Sequence, residues 1–467
     1  MTDEFDVVVI GAGPVGENVA DRAVRGGLSA AIVESELVGG ECSYWACMPS
    51  KALLRPAQAL REASSLEGSR QAVTGPLDVA AVLGRRDSFT SHWDDRGQVD
   101  WLEGAGISLV RGHGRLAGER RVMVGDRELA ARDAVVVATG SDALIPPIAG
   151  LAEANPWTSR EATSASRAPG RLAVIGGGVV GCEMAQAWAA LGSAVTVLAR
   201  SEGLLPGHEP FAGQLVEASM TASGISVRTS VEVQSVSRRP DGAVVVSTAD
   251  GSNLVADEVL VAAGRRPRTD DLGLDTVGLE PGSWLETDDS MRVTAVAGGW
   301  LYAAGDVNRR ALLTHQGKYQ ARVCGDVIAA RAAGEVSPAA WDRYSASADH
   351  RAVPAVVFTD PEVAGVGLTS AAARQAGMET RTVKIPIAVA GSSLFADGYE
   401  GQACIVVDEA RRVLVGATFV GMGVAELLHS ATVALVGEVP LDRLWHAVPS
   451  YPTISEVWLR LLEAYGL

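Results

Sequence analysis

Residues Asp6–Glu34 read DVVVIGAGPVGENVADRAVRGGLSAAIVE. Asp6-Val-Val-Val-Ile10 is a β-branched apolar run that predicts a buried strand. Gly11-Ala-Gly13-Pro-Val-Gly16 follows as a turn, then a helical pattern to about Arg25 and a second strand ending at Glu34. Strand, glycine turn, helix and strand in this order make a dinucleotide-binding βαβ unit. The first glycine makes the turn, the second lets backbone approach a pyrophosphate, and the third lets helix pack on strand. The helix N-terminus then offers free N–H groups to the phosphates. Arg171–Arg200, RLAVIGGGVVGCEMAQAWAALGSAVTVLAR, repeats the pattern with Gly176, Gly178 and Gly181. One such motif is weak evidence; two, each correctly flanked, imply two different dinucleotides.

The rest of the chain divides around these units. A helical region is expected from about Ser50 to Gly104, and short strands from Ser108 to Val137 lead into Ala138-Thr139-Gly140. The second unit occupies 150–268, with strands at 225–229, 243–248 and 257–261. Trp300-Leu-Tyr-Ala-Ala-Gly305-Asp306 reads as a buried strand that returns the chain to the first unit, followed by a helix to about Ala333. From Pro354 the pattern changes to strands at Val356–Thr359, Thr380–Pro386, Ala403–Val407 and Val413–Val420, then helices, as in an α+β domain. The expected fold is α/β: two Rossmann-like dinucleotide-binding domains, 1–149 with 269–345 and 150–268, plus a C-terminal α+β domain, 346–467.

Composition bounds the function. At 467 residues the chain exceeds one hydrophobic core, and 47% hydrophobic with 21% charged residues is ordinary globular usage. A formal charge of −16 argues against nucleic acid and against anionic membrane surfaces as partners. No apolar run reaches the ~18 residues of a membrane span, and no secretory signal opens the chain. Cytoplasm is the expected compartment. Of the five cysteines, Cys182, Cys324 and Cys404 stand alone as candidate buried hydrophobes.

The other two lie in Gly39-Gly40-Glu41-Cys42-Ser43-Tyr44-Trp45-Ala46-Cys47-Met48-Pro49-Ser50-Lys51. The spacing lets Cys42 and Cys47 sit one turn apart at a helix start, within reach of a disulfide. A helix N-terminus and a nearby cation such as Lys51 would lower a thiolate pKa. Zinc would need two more ligands at characteristic spacing, and the sequence offers no second pair, so no metal is expected. The pair reads as redox-active.

With these motifs in place, the chain resembles the pyridine nucleotide-disulfide oxidoreductases, the family of dihydrolipoamide dehydrogenase, glutathione reductase and mercuric reductase. Further matching segments are Ala263-Gly264-Arg265-Arg-Pro267, Ala304-Gly305-Asp306, Pro354-x-Val-Val-Phe-Thr-x-Pro361-Glu and Pro452-Thr453-x-x-Glu456. The resemblance implies FAD in 1–149 and 269–345, a nicotinamide cofactor in 150–268, and a homodimer through 346–467. It implies that Gly11, Gly13, Gly16 and Glu34 hold the ADP half of FAD and that Asp306 meets its ribityl or pyrophosphate region. Thr139, Gly140 and Gly264 belong to cofactor-lining motifs, and Gly176, Gly178 and Gly181 would hold the nicotinamide dinucleotide. Cys47 would be the thiolate facing the flavin, Cys42 the outer thiol that attacks substrate, and Lys51 and Glu183 a pair near the flavin's reactive nitrogen.

Three departures from the family pattern matter. Ala199-Arg200 ends the second βαβ where NADH enzymes place an acid. Arg200 can pair with a 2′-phosphate, which favours NADPH over NADH, although Pro206 falls near the place of a second phosphate-binding arginine. Tyr451 stands where a histidine usually precedes the final Pro-Thr, while Glu456, which would orient that histidine, is kept. A phenol near its ordinary pKa of about 10 is a poor base at neutral pH. Tyr451 could act as an acid in one direction, His446 could take the role, or the substrate could need no such base, as with a quinone or another electrophile. Tyr451–Pro452 is also a candidate cis bond. Finally, Tyr44 and Trp45 replace small residues between the cysteines, either lining a flat substrate pocket or packing. The other histidines show no pairing pattern. The chain ends Glu463-Ala-Tyr-Gly-Leu467 without the extra cysteine pair of mercuric and large thioredoxin reductases. The reading is therefore an NAD(P)H-dependent flavoprotein acting on a small disulfide. The alternatives are a quinone or electrophile reductase using flavin directly and a non-catalytic flavin-binding scaffold.

Overall fold

The computed structural model describes residues 2–334 and 336–467. Contacts divide the chain into two compact units: Met1–Pro49, Asp87–Leu144 and Gly264–His350 form the first, and Ser50–Arg86, Ile145–Ala263 and Arg351–Leu467 the second.

The first unit is built on a parallel sheet in the order Ser108–Arg111, Ala30–Glu34, Thr2–Ile10, Arg127–Val137, with Leu301–Ala303 parallel to the last of these. Arg121–Val124 and Gly114–Leu116 extend it as an antiparallel ribbon. The run Val7–Ile10 is apolar throughout because both faces are covered. Val7 and Val9 pack with Val19, Ala20 and Ala23 of helix α1 (Pro14–Arg25) and with Val323 and Val327 of the long helix Thr314–Ala333. Val8 and Ile10 face the other way, onto Leu129, Val135 and Leu301. The two-residue period of the strand thus feeds two cores, and truncating one of these side chains to alanine is worth about 1–3 kcal/mol of stability.

Strands Ser226–Arg228, Ala194–Leu198, Arg171–Ile175 and Glu258–Val261 form the parallel sheet of the second unit. Its C-terminal part is an antiparallel sheet of Pro354–Val357, Glu362–Gly367, Val413–Gly421, Gln402–Asp408 and Thr380–Pro386. Helices Leu428–Val436 and Val457–Tyr465 complete its core. The α/β class with a C-terminal α+β part is the one the sequence indicates. Among the described residues, five strands were not expected: Ser141–Ala143, Val233–Arg238, Asn253–Ala256, Arg265–Pro267 and Glu362–Gly367. The last is glycine-interrupted, and its alternation is lost in the sequence. The helical stretch to Gly104 is broken into α3 (Cys47–Ser64), Val79–Phe89 and Arg96–Gly104.

Both glycine turns have the same steric basis. Gly11 has φ +103° and Gly176 φ +122°. A Cβ on either would drive into the carbonyl oxygen of Ala138 or Ala262, and one on Gly16 or Gly181 into that of Gly11 or Gly176. The repeat seen in the sequence is a repeat of close backbone approach.

Candidate active site

Gly39 and Gly40, both at positive φ, turn the chain into α2 (Gly40–Tyr44). Trp45 ends that helix with its N–H on the Glu41 carbonyl at 2.8 Å, and Cys47 opens α3. The two cysteines therefore lie on consecutive short-linked helices, not on one turn of a single helix as the spacing suggested; the aromatic Trp45 marks the break. Their thiols still meet. Cys42 is hydrogen-bonded to Cys47, and that bond, followed by burial, holds the Cys42 thiol well above its usual range, with Thr314 and Lys318 pulling the other way. Cys47 Sγ lies 3.3 Å from Thr314 Oγ1. Cys47 stands at the N-terminus of α3 beside the Thr314 hydroxyl, a position that favours a thiolate. Tyr44 is a packing residue, 3% exposed, with its hydroxyl donating to the Val38 carbonyl; Trp45 is half-buried with its ring 5.7 Å from that of Tyr44.

Around this pair the first unit presents polar groups suited to a dinucleotide. α1 starts at Gly13 with no side-chain cap, so its first N–H groups are open to an anion. Glu34 accepts the N–H groups of Ala12 (2.7 Å) and Glu36 (2.8 Å), which braces the glycine loop. Thr139 Oγ1 is buried without a hydrogen-bond partner, next to Gly140 at φ +73°. Asp306 accepts from Ser141 Oγ at 2.6 Å, and Arg265 donates to the same hydroxyl at 2.7 Å. Gly264, at φ +135°, accepts the Leu144 N–H. The Gly305–Asp306 turn is fixed by Gln320, which takes the Gly305 N–H at 2.8 Å and donates to Asp349. Thr314, Gln320 and Asp349 escaped the sequence reading because they reach the site from distant segments, while Ser141, directly after Gly140, was not singled out. An orphaned hydroxyl, an uncapped helix start and a carboxylate at the end of the second strand fit FAD.

In the second unit the corresponding helix, Val179–Ala190, starts at uncapped Gly178, and a Cβ there would meet nothing within 4 Å. Arg200 is exposed directly after the strand that ends in Leu198, and Ala199 is buried. Lys51 Nζ is 2.7 Å from Glu183 Oε2, and Glu183, 4% exposed at its side chain, also accepts the Phe358 N–H at 3.0 Å. Lys51 lies 4.9 Å above the Phe358 ring. Replacing Lys51 with Met strands a buried carboxylate and is expected to lower stability by about 2 kcal/mol, since water reaches the lysine and softens the loss. Thermal melting should fall by roughly 5 °C, and Lys51→Met with Glu183→Gln should recover most of it.

The C-terminal part carries an open cleft of about 450 Å³ lined by Ile385, Pro386, Val389, Tyr451, Glu456 and Arg460. Tyr451 is 75% exposed and Tyr451–Pro452 is cis, as is Asp360–Pro361. Glu456 is buried to 6%; one oxygen accepts from Arg460 at 2.9 Å and Oε2 has no partner. His446 is exposed after the short helix Leu441–Leu444. Cys182, Cys324 and Cys404 are buried, as expected of small apolar side chains.

The sequence profile of the pyridine nucleotide-disulphide oxidoreductases matches residues 5–325, and the profile of their dimerisation domain matches residues 353–461. The chain belongs to this family. It is 34% identical to a dihydrolipoyl dehydrogenase of Thermus scotoductus over 98% of this chain and 97% of that one. It is 30% identical to a mercuric reductase of Staphylococcus aureus over 97% of this chain and 81% of that one. Among solved structures, the flavoprotein disulfide reductase RclA from Escherichia coli superposes with a TM-score of 0.84 at 22% identity, covering 99% of both chains. LpdA from Mycobacterium tuberculosis does so at 0.83 and 24%, covering 100% of both, which supports the same fold. Pyridine nucleotide-disulphide oxidoreductases use FAD and NAD(P)H, and this chain is an NAD(P)H-dependent flavoprotein enzyme of that kind. Its dimerisation domain supports a homodimer, and no helix among the described residues is long and apolar enough to cross a membrane.

Proposed function

We propose that the enzyme is a cytoplasmic NADPH-dependent reductase of a small disulfide, with Cys42 and Cys47 as its redox centre. Residues 1–149 and 269–345 would hold FAD, 150–268 NADPH, and 346–467 the second subunit. The observation that carries the reading is the thiol–thiol contact of Cys42 and Cys47, with Thr314 on the inner sulfur. FAD, when bound, supplies the conversion of a hydride into an electron pair that a disulfide can accept. The chain's own part is to bind, orient and charge. Gly11, Gly13, Gly16, Glu34, Thr139, Gly140, Gly264 and Asp306 hold the flavin dinucleotide, and Gly176, Gly178 and Gly181 the nicotinamide one. The Lys51–Glu183 pair tunes the flavin. Cys47 holds the negative charge; Cys42 attacks the substrate disulfide, forms a mixed disulfide, and is released when Cys47 attacks it in turn.

Arg200 gives the NADPH preference through charge-assisted bonds to the 2′-phosphate, worth about 1.5–3 kcal/mol. Arg200→Ala should raise the KM for NADPH about tenfold or more and leave that for NADH unchanged. A steady-state screen of small disulfides against quinones, with both nicotinamides, tests the whole reading; turnover confined to quinones would reject it. One observation favours that second reading, direct reduction of a quinone or electrophile: Tyr451 is exposed and the Glu456 oxygen meant to orient a base is unpaired. A scaffold role would leave the contacting cysteines and the Lys51–Glu183 pair without purpose.

A further inference from the structure

The Gly305–Asp306 turn hangs on one side chain. Gly305 sits at φ +81°, and a Cβ on it would come within 2.9 Å of Val15 Cγ2, so the turn is pressed against the first glycine loop. Gln320, fully buried in the helix Thr314–Ala333, accepts the Gly305 N–H at 2.8 Å and Asn308 Nδ2 at 2.9 Å through the same Oε1. These donors bracket Asp306, the carboxylate that takes the Ser141 hydroxyl. The Asn308 amide is oriented independently, because its Oδ1 accepts the Arg310 N–H at 3.0 Å. A Gln320 amide turned end for end would therefore point a donor at donors, and the turn would lose both bonds.

What keeps that amide the right way round lies on its other side. Gln320 Nε2 donates to Asp349 Oδ2 at 2.9 Å. Asp349 is 1% exposed at its side chain, and it also accepts from Gln316 Nε2 at 2.6 Å and from Arg310 Nε at 2.8 Å. Arg310 is held in turn by Asp289 at 2.7 Å, which His350 also meets. A carboxylate accepts and does not donate, so every polar group packed on Asp349 must present an N–H to it. An ion pair this buried adds little net stability, since desolvation offsets its attraction. Its acceptor-only oxygens do impose one orientation on Gln320.

We propose that Asp349 is a positioning residue for FAD: it fixes the Gln320 amide with its oxygen on the Gly305–Asp306 turn, and through that turn holds the Asp306 carboxylate for the flavin dinucleotide. The proposal rests on Asp306 meeting the dinucleotide, as proposed for this site. The chain of contacts is short and continuous, running from Asp349 to Gln320, from Gln320 to Gly305 and Asn308, and so to Asp306 between them. Loss of the acceptor at 349 frees Gln320 to turn, and the flavin then meets a carboxylate on a loosened loop.

The test is release of FAD from the full-length holoenzyme on dilution, followed by the rise of flavin fluorescence, with melting in excess FAD as the measure of fold. Asp349→Leu fills similar space without an acceptor and should release FAD about tenfold faster. Asp349→Asn should stay within about threefold of the parent, because its oxygen can take Gln320 and Arg310 while Gln316 turns its amide to accept. Gln320→Glu sets a second carboxylate against Asp349 and should release FAD about tenfold faster or more. Adding Asp349→Asn, whose amide donates to the new carboxylate, should recover most of that loss. A role in packing alone would give no such rescue. This pair carries the test if Asp349→Leu folds poorly: a double variant that regains neither fold nor flavin over Gln320→Glu would overturn the proposal. Asp306→Ala releasing FAD at the parent's rate would overturn the Asp306 reading and this with it. Fast release from Asp306→Ala with parent-like release from Asp349→Leu would overturn this proposal alone.

Discussion

Cys42→Ser is expected to lose disulfide turnover by on the order of a thousandfold or more, while the resting enzyme shows a flavin–thiolate absorbance band and NADPH still bleaches the flavin. The asymmetry follows from where the proton sits. On the proposed reading the charge of the reduced pair belongs to Cys47, while the Cys42 thiol is held protonated by its bond to Cys47 and by burial. A serine at 42 can still donate a hydrogen bond to that thiolate but cannot form the mixed disulfide. Cys47→Ser should behave differently, losing the absorbance band as well as turnover, because no second sulfur remains to carry the charge beside Thr314. Anaerobic spectra and turnover of a small disulfide separate the two variants. Unchanged turnover in Cys42→Ser would mean that electrons leave the flavin without the sulfurs.

Much of this site was legible because its parts are local in sequence. The two βαβ units, the Cys42–Cys47 pair and Glu34 each declare themselves within one short stretch, since close backbone approach at Gly11, Gly16, Gly176 and Gly181 tolerates no other residue. The Lys51–Glu183 ion pair came from family resemblance, and at 2.7 Å it is formed. What stayed hidden is long-range. Thr314 meets Cys47 across more than two hundred residues of chain. The broken helix between the cysteines was missed because spacing alone cannot distinguish one helical turn from two helices joined at Trp45.

Tyr451→His should raise dithiol–disulfide exchange near pH 7 by about a hundredfold, the low end of what a placed general acid–base group contributes. The cleft around residue 451 is already prepared for an imidazole. Glu456 is buried, one oxygen is occupied by Arg460, and Oε2 has no donor. A histidine would place an N–H on that oxygen, fixing its tautomer and leaving the other nitrogen to exchange protons at a pKa near 6.5. Tyrosine cannot do both, because its single hydroxyl either satisfies Glu456 or faces the substrate. The gain should therefore depend on the carboxylate, and Glu456→Gln in the Tyr451→His chain should remove most of it. It should also follow pH, appearing as the imidazole loses its proton above about pH 6 and being absent in the parent at every pH. Turnover of a small disulfide by the parent, Tyr451→His and the double variant across that range checks each step. A histidine variant no faster than the parent would mean that residue 451 does not meet the sulfurs, and the enzyme's substrate would then be one that needs no base at all.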